Sequence, residues 1–172
     1  MQRVRVCFVC LGNICRSPLA EAVLRHKARE GGVEGRLEIS SRGVGAWHVG
    51  EPPDPRMRAT AREHGVKMDG AAEQVTFEDL TEMDLVLSMD GDRHADLVEM
   101  ATREATARIV PFRAFDPDGG PWDDVPDPYY GGERGFEEVF TIVDRTCEAL
   151  LERLLDGSYR EVRGGPNATR RP

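Results

Sequence analysis

The chain has 172 residues, of which 40% are hydrophobic, and this length and composition suit one compact domain with a substantial core. Its 31 acidic and 23 basic residues give a net charge of -8, which argues against nucleic acid or an anionic membrane as a partner. No apolar run approaches the roughly 20 residues of a membrane span, and none resembles an export signal. The four cysteines are therefore expected to be thiols in a reducing, cytoplasmic compartment.

The N-terminal part of the chain is predicted to form a buried strand, a tight loop and a helix. Residues 3–9 pass from an alternating to a continuously apolar pattern, which a glycine and an asparagine then interrupt. Ser17 suits the N-cap position and Pro18 the first helical position, and apolar residues then recur at helical spacing. Cys10 is thereby placed at the carboxyl end of a buried strand.

Strands and helices continue to alternate along the rest of the chain. The predicted elements are a strand at 37–40, a helix capped by Asp54 and ending near Gly65, a strand at 84–89, a helix capped by Asp90 and running toward Met100, a strand at 107–112 and a last helix with an apolar stripe from Phe136 to Leu154. This order predicts an α/β fold in three layers, with a parallel sheet between helices on both faces. Ligands bind such sheets at the carboxyl ends of the strands. Residues 1–160 are expected to form the domain, and 161–172 a flexible C-terminal tail.

The loop after the first strand has the composition of a phosphate-binding loop. A short connection from a strand to a helix N-terminus turns backbone amides and the positive end of the helix dipole toward an anion. The same dipoles stabilise a thiolate at Cys10 and make it nucleophilic, and the guanidinium of Arg16 matches two phosphoryl oxygens. Ser17 is placed to donate a hydrogen bond to the sulfur. The loop residues expected to bind substrate are Leu11, Gly12, Asn13, Ile14, Cys15 and Ser17.

The remaining cysteines and the histidines receive structural interpretations. Cys7 and Cys147 lie on apolar faces and are predicted to be core residues. Cys15 is either a packing residue or a resolving thiol that forms a reversible disulfide with Cys10. Cys7, Cys10 and Cys15 lack the fourth ligand of a recognised zinc spacing, so no metal site and no cofactor are expected. The histidines are predicted to be surface or loop residues: His26, His48, His64 and His94.

The segment from Cys10 to Pro18, with the sequence CLGNICRSP, resembles the signature of the low-molecular-weight protein tyrosine phosphatases. The similarity extends over about residues 3–156 and includes Ser41, the Trp47–Gly50 stretch and the Asp127–Gly131 stretch. The resemblance implies a four-stranded parallel sheet and a phosphocysteine intermediate. It also implies phosphotyrosine proteins as substrates, inorganic phosphate as product and a role in signalling, in a monomer or weak dimer.

The resemblance also assigns residues outside the loop. It makes Asp127 the general acid and base, which the chemistry requires because a phenolate leaving group, with a pKa of about 10, departs more easily once protonated. Trp47, Tyr129 and Tyr130 correspond to the aromatic walls of a phosphotyrosine site, and Ser41 is in a position to support Asn13. Two departures are visible in the sequence. Gly70 and Glu73 stand where the family often has histidine and arginine, so the support of Asn13 is expected to be rearranged.

Three other functions compete with this interpretation. Arsenate reductases share the loop but need further cysteines, and none occurs between Cys15 and Cys147. Phosphoarginine phosphatases of the same family characteristically have threonine where this loop has Ile14, so the apolar residue favours an aromatic ester. A non-catalytic phosphopeptide-binding module would keep Arg16 and the amides but would need neither a nucleophile nor an acid.

Overall fold

The computed structural model describes residues 2–128 and 132–163. Tyr129 and Tyr130 lie outside the described residues, as do residues 164–172 of the tail predicted at 161–172. At the start of that predicted tail, Glu161 ends a 3₁₀ turn and Val162 packs against the core. The strands are β1 Val4–Cys10, β2 Leu37–Gly43, β3 Leu85–Ser88 and β4 Arg108–Pro111. The helices are α1 Arg16–Glu30, α2 Pro55–Glu63, α3 Phe77–Glu82, α4 Gly91–Met100 and α5 Gly132–Asp156.

The four strands form one parallel sheet in the order β2-β1-β3-β4. Alternate residues of β1 point to opposite faces and enter two separate cores, Val6 and Phe8 on one side and Cys7 and Val9 on the other. Side chains of α1, α2 and α5 complete the first core, and side chains of α3 and α4 complete the second. The predicted three-layer α/β fold is therefore confirmed, and β1 ends at Cys10 in the middle of the sheet.

Two helix N-termini follow the sequence prediction. Asp54 caps α2 through its bond from the Arg56 amide, and Asp90 caps α4 through its bond from the Arg93 amide, each at 2.8 Å. The prediction for α1 was wrong, because the helix begins at Arg16, the residue at its N-cap is Cys15, and no side chain caps it. The Ser17 hydroxyl instead bonds within the loop, as described below.

The sequence prediction missed α3 and misplaced one histidine. Thr76 and Asp79 form a capping box at the start of α3. This pattern is visible in the sequence, but the helix that follows has only six residues and therefore shows no clear helical periodicity. His94 was predicted at the surface, whereas it lies on the inner face of α4 and is only 5% exposed. Within the described ranges, no helix has the length and apolarity needed to cross a membrane.

Candidate active site

The loop between β1 and α1 is held from outside by its carbonyl groups. Backbone bonds run from Val44 N to Cys10 O (3.0 Å), from Gly45 N to Leu11 O (2.9 Å) and from Asp54 N to Ile14 O (2.7 Å). In a trans peptide the N–H points away from the C=O. The amides that follow, those of Leu11, Gly12 and Cys15, therefore point away from these neighbours and remain for a ligand on the inner side of the loop.

Asn13 fixes the shape of the loop from behind. It is buried, and its φ of 56° lies in the left-handed region, which asparagine tolerates better than most residues. Its Nδ2 donates to Ser17 Oγ at 2.8 Å and to Ser41 Oγ at 3.0 Å. Its Oδ1 accepts from the backbone amide of Glu73 at 2.9 Å. The Glu73 side chain pairs with Arg42 and takes no part in holding Asn13.

The sulfur of Cys10 lies at the base of the loop beside a hydroxyl group. Cys10 Sγ is 2.9 Å from Ser17 Oγ, and both side chains are buried. Ser17 Oγ already accepts the bond from Asn13, so its own proton is available for the sulfur or for the Arg42 carbonyl oxygen, which is 3.3 Å away. Ser17 and Asn13 were predicted to bind substrate, but they do not line the cavity above the loop. Their side chains instead contact each other, Cys10 and Ser41.

Arg16, the first residue of α1, is held by three oxygen atoms. Its Nη1 donates to Asp90 Oδ2 at 2.8 Å and to the Val125 carbonyl at 3.0 Å, and its Nη2 is 3.8 Å from Asp127 Oδ2. Burial lowers the pKa of Arg16, but the negative charges of Cys10, Asp90 and Asp127 outweigh that effect and raise it. The guanidinium therefore stays charged and has a fixed orientation.

A cavity of about 240 Å³ opens above the loop and gathers most of the residues predicted to bind substrate. Its lining consists of Cys10, Leu11, Gly12, Ile14, Cys15, Arg16, Trp47, His48 and Asp127. The Asp127 side chain is 38% exposed and reaches this cavity from the long segment before α5. The space is small and suits a phosphate group with one aromatic ring rather than a larger ligand.

Among the described residues, two aromatic side chains line the cavity, Trp47 and His48, and the first of them was predicted from the sequence. Trp47 is 72% exposed and packs over Gly45, where a Cβ atom would collide with the indole ring. His48 was not identified, since nothing but its adjacency to Trp47 singles it out. A Cβ on Gly12 would come within 2.9 Å of His48 Cδ2, and His48 Nδ1 bonds Glu51 Oε2 at 2.6 Å. Glycine at position 12 thus gives His48 room beside the loop.

The other three thiols differ from Cys10 in their surroundings. All four cysteines are unpaired, and Cys7 and Cys147 are fully buried in the core. Burial raises the pKa of Cys7 to about 12, and it also raises that of Cys147. Burial, followed by the charge of Cys10, raises the pKa of Cys15. In the described part of the chain, no three His, Cys, Asp or Glu side chains are arranged to hold a metal ion.

Comparison with known proteins identifies the family. Residues 5–158 match the family model of the low molecular weight phosphotyrosine protein phosphatases. A low molecular weight protein-tyrosine-phosphatase of Streptomyces coelicolor is 44% identical over 149 residues, which cover 86% of this chain and 91% of that protein. The crystal structure of YfkJ from Bacillus subtilis superposes with a TM-score of 0.84 at 39% identity, covering 91% of this chain and 98% of that one.

A structure with a different named substrate is also similar. The Drosophila arginine phosphatase DARP superposes with a TM-score of 0.79 at 28% identity, covering 86% of this chain and 96% of that one. The match to the family model covers residues 5–158. The Streptomyces coelicolor phosphatase, at 44% identity, is more similar in sequence to this chain than DARP is, at 28%. The chain belongs to the low molecular weight protein-tyrosine-phosphatase family, whose members are cysteine-dependent phosphatases.

Proposed function

We propose that this protein hydrolyses phosphotyrosine in proteins through a phosphocysteine intermediate on Cys10. The observation that supports this most strongly is the shared cavity: the Cys10 thiol, the Arg16 guanidinium and the Asp127 carboxyl group all line one small space. A nucleophile, a cation for the phosphoryl oxygens and an acid for the leaving group are the three parts that the reaction needs. A phosphopeptide-binding module would need only the second.

In the first step the Cys10 thiolate attacks phosphorus. The P–S bond forms while the bond from phosphorus to the phenolic oxygen breaks, and Asp127 transfers its proton to that oxygen, so tyrosine leaves neutral. The loop amides and Arg16 surround the equatorial oxygens as negative charge spreads over them. Asp90 holds Arg16 in the required orientation through the 2.8 Å bond between them.

In the second step water displaces the sulfur. Asp127, now a carboxylate, accepts a proton from the water molecule that attacks phosphorus, and the P–S bond breaks to release inorganic phosphate and the Cys10 thiolate. The Ser17 hydroxyl, 2.9 Å from the sulfur, stabilises the charge that returns to it. Neither step needs a metal or another cofactor, because the thiolate is the nucleophile and the loop supplies the positive charge.

The substrate class follows from the shape and polarity of the cavity. Leu11, Ile14 and Trp47 offer apolar surface above a polar base, as a phenyl ring bearing a phosphate requires. Phosphoserine is too short to place its phosphate at the base while its backbone stays outside. Tyr129 and Tyr130, the other predicted walls, lie outside the described residues and remain part of the proposal, as does a role for Cys15 in reversible oxidation of Cys10.

We place the protein in the cytoplasm, acting in signalling on phosphotyrosine proteins as a monomer or weak dimer. Four unpaired cysteines support a reducing compartment. The net charge of -8 supports protein substrates rather than nucleic acid or an anionic membrane surface.

The proposal is tested by comparing turnover of phosphotyrosine, phosphoserine and phosphoarginine peptides of one sequence. We expect kcat/KM to be highest for phosphotyrosine, and Cys10→Ser to abolish turnover while inorganic phosphate still binds. The matched control is Cys147→Ser, which removes a thiol that lies in the core and outside the cavity.

Two of the alternatives give a different result in the same experiment. Preferred turnover of phosphoarginine would establish a phosphoarginine phosphatase, and the similarity to DARP is the observation that supports this alternative. Binding of phosphotyrosine peptides without turnover would indicate a phosphopeptide-binding module. Undiminished turnover by Cys10→Ser would overturn the proposed mechanism.

A further inference from the structure

The segment from the end of β4 to Asp127 has little regular structure of its own. A short 3₁₀ turn, Phe112–Phe115, opens it, and turns and bends without strand or helix follow as far as Asp127. Regular backbone pairing is therefore sparse in this segment, and side-chain contacts add to the backbone bond from Val125 N to the Met89 carbonyl (2.8 Å) near Asp127. Two arginines supply these contacts.

The first contact is a buried ion-pair cluster around Asp116, near the start of the segment. Arg145 of α5 donates from Nε to Asp116 Oδ1 at 2.9 Å and from Nη2 to Oδ2 at 3.0 Å. Arg113 adds a bond from Nε to Oδ2 at 3.0 Å, and the Asp118 amide donates to Oδ1 at 2.9 Å. The Asp116 carboxylate is fully buried, and although burial raises its pKa, these donors outweigh that effect and lower it.

The second contact connects the two ends of the segment through Arg113. While its Nε binds Asp116, its Nη1 donates to the carbonyl oxygen of Asp124 at 2.9 Å. The chain crosses directly over this pair at Gly119, where a Cβ atom would lie 2.6 Å from Arg113 Nη2 and 2.7 Å from Asp116 Oδ2. The segment is thus folded back on one guanidinium group.

Asp124 leads directly to the catalytic cavity. Its Oδ1 accepts from the Gly91 amide at 2.8 Å, and the next residue, Val125, donates to the Met89 carbonyl at 2.8 Å and accepts from Arg16. Pro126 then restricts the backbone immediately before Asp127. Only Val125 and Pro126 separate Asp124 from Asp127, so the bonds that hold Asp124 act together with those of Val125 to set the position of the carboxyl group that faces the leaving group.

We propose that Arg113 is a positioning residue for the general acid, acting through Asp116 and the Asp124 carbonyl to hold Asp127 at the distance that proton transfer requires. This inference rests on the proposed role of Asp127. Misplacing a catalytic group by about 1 Å can cost on the order of 100-fold in rate. Partial loosening by removal of Arg113 should cost roughly 10-fold wherever the acid matters.

The test measures how the rate depends on the leaving group. For Arg113→Ala we expect kcat/KM, which reports the first chemical step, to fall roughly 10-fold for phenyl phosphate but little for an activated aryl phosphate whose phenolate leaves unaided. Arg113→Lys keeps a cation beside Asp116 but lacks the planar fork that reaches both partners, so it should show the same pattern less strongly. Equal loss for both substrates would overturn the inference.

A double-variant cycle and a matched control separate positioning from stability. In an Asp127→Ala background, Arg113→Ala should cause no further loss of rate, whereas an independent effect would add fully and contradict the inference. Arg36→Ala is the control. Arg36 immediately precedes β2 and also donates to a backbone carbonyl, that of Leu155 at 2.8 Å, but it does not line the catalytic cavity. If Asp127→Ala itself shows no leaving-group dependence, the proposed function fails; if it does and Arg113→Ala does not, only this inference fails.

Discussion

The hydroxyl of Ser17 has more neighbours than it has protons, and this decides its chemical role. Asn13 Nδ2 donates to it at 2.8 Å, so its single proton goes either to Cys10 Sγ at 2.9 Å or to the Arg42 carbonyl at 3.3 Å. A hydrogen bond to a charged acceptor is roughly twice as strong as one to a neutral acceptor. The proton should therefore bind the sulfur whenever the sulfur is a thiolate, both before attack and during its departure.

Ser17→Ala should slow the second step more than the first. A charge-assisted hydrogen bond contributes about 1.5–3 kcal/mol, which corresponds to roughly 10- to 100-fold in the rate of phosphocysteine hydrolysis. Stopped-flow mixing with p-nitrophenyl phosphate should then give a burst of nitrophenolate close to one equivalent per enzyme. Ser40→Ala is the control, because the Ser40 hydroxyl faces the Val6 carbonyl in the sheet. A variant with slow turnover and no burst would place Ser17 in the first step instead.

At the scale of one element, α4 combines a functional cap with a buried histidine. Asp90 accepts the Arg93 amide with Oδ1 and the Arg16 guanidinium with Oδ2, each at 2.8 Å, so one side chain both caps the helix and orients the phosphate-binding cation. His94, one turn later, has Nδ1 3.1 Å from Ser88 Oγ, and its Nε2 has no hydrogen-bond partner among the described residues. Burial lowers the pKa of His94, so the folded protein holds the imidazole neutral.

This burial predicts a loss of stability in mildly acidic solution. In the unfolded chain His94 binds a proton near its ordinary pKa of about 6.5, whereas the folded protein resists protonation until a lower pH. The unfolded state therefore holds more protons in that interval, and the free energy of unfolding falls as the pH falls from about 6.5 through the lowered pKa. Urea titrations between about pH 8 and pH 5 measure the effect.

The comparison variant is His94→Gln, which keeps a hydrogen-bonding group but does not titrate in this range. It should show a smaller decrease in stability with falling pH than the wild-type protein, whatever the other three histidines contribute. If the free energy of unfolding fell equally with pH in the two proteins, the prediction that His94 is neutral and buried would be contradicted.

Most elements were predictable from sequence because each has a local cause. Asp54 and Asp90 are N-caps followed by helix-compatible segments, and β1 passes from an alternating to a continuously apolar pattern, so their places follow from neighbouring residues. Only the N-cap assignment of Ser17 was wrong, because a serine before a helical pattern is an ordinary N-cap, whereas the contact predicted between its hydroxyl and the Cys10 sulfur is present at 2.9 Å. Local patterns thus predicted the helix and the contact with the sulfur but placed the helix N-terminus two residues too late.

For the whole molecule, the fold, the loop and the support of Asn13 by Ser41 could be inferred from sequence, but other supports of the site could not. Alternation of strands and helices predicted a parallel sheet with Cys10 at its carboxyl end, and the structure has that arrangement. Asn13, however, depends on the amide of Glu73, 60 residues away, and Asp116 depends on Arg145, 29 residues away. Backbone amides and arginines occur throughout the chain, so no pattern in the sequence selects these particular partners.

The arrangement of the two cores explains why so small a domain can hold a reactive thiol. The central strand β1 is covered on both faces, which fixes the position of Cys10. The loop after it is bonded to Ser41 of β2, to Val44 and Gly45 just after β2, to the Glu73 amide and to Asp54 at the start of α2. A site placed on elements that are packed from several sides needs little reorganisation during reaction. The proposed activity therefore depends on the sulfur of Cys10 at the end of that strand.

The most direct measurement is to trap the phosphorylated enzyme and locate the phosphoryl group. Ser17→Ala is mixed with an activated aryl phosphate, quenched in acid within one turnover, and digested for mass spectrometry. Trypsin releases Val6–Arg16 as one peptide containing Cys7, Cys10 and Cys15, so fragmentation must distinguish three thiols. We expect one phosphoryl group on Cys10 that forms and decays at the rates of turnover. Continued turnover with Cys10 unmodified, or with the group on another residue, would contradict it.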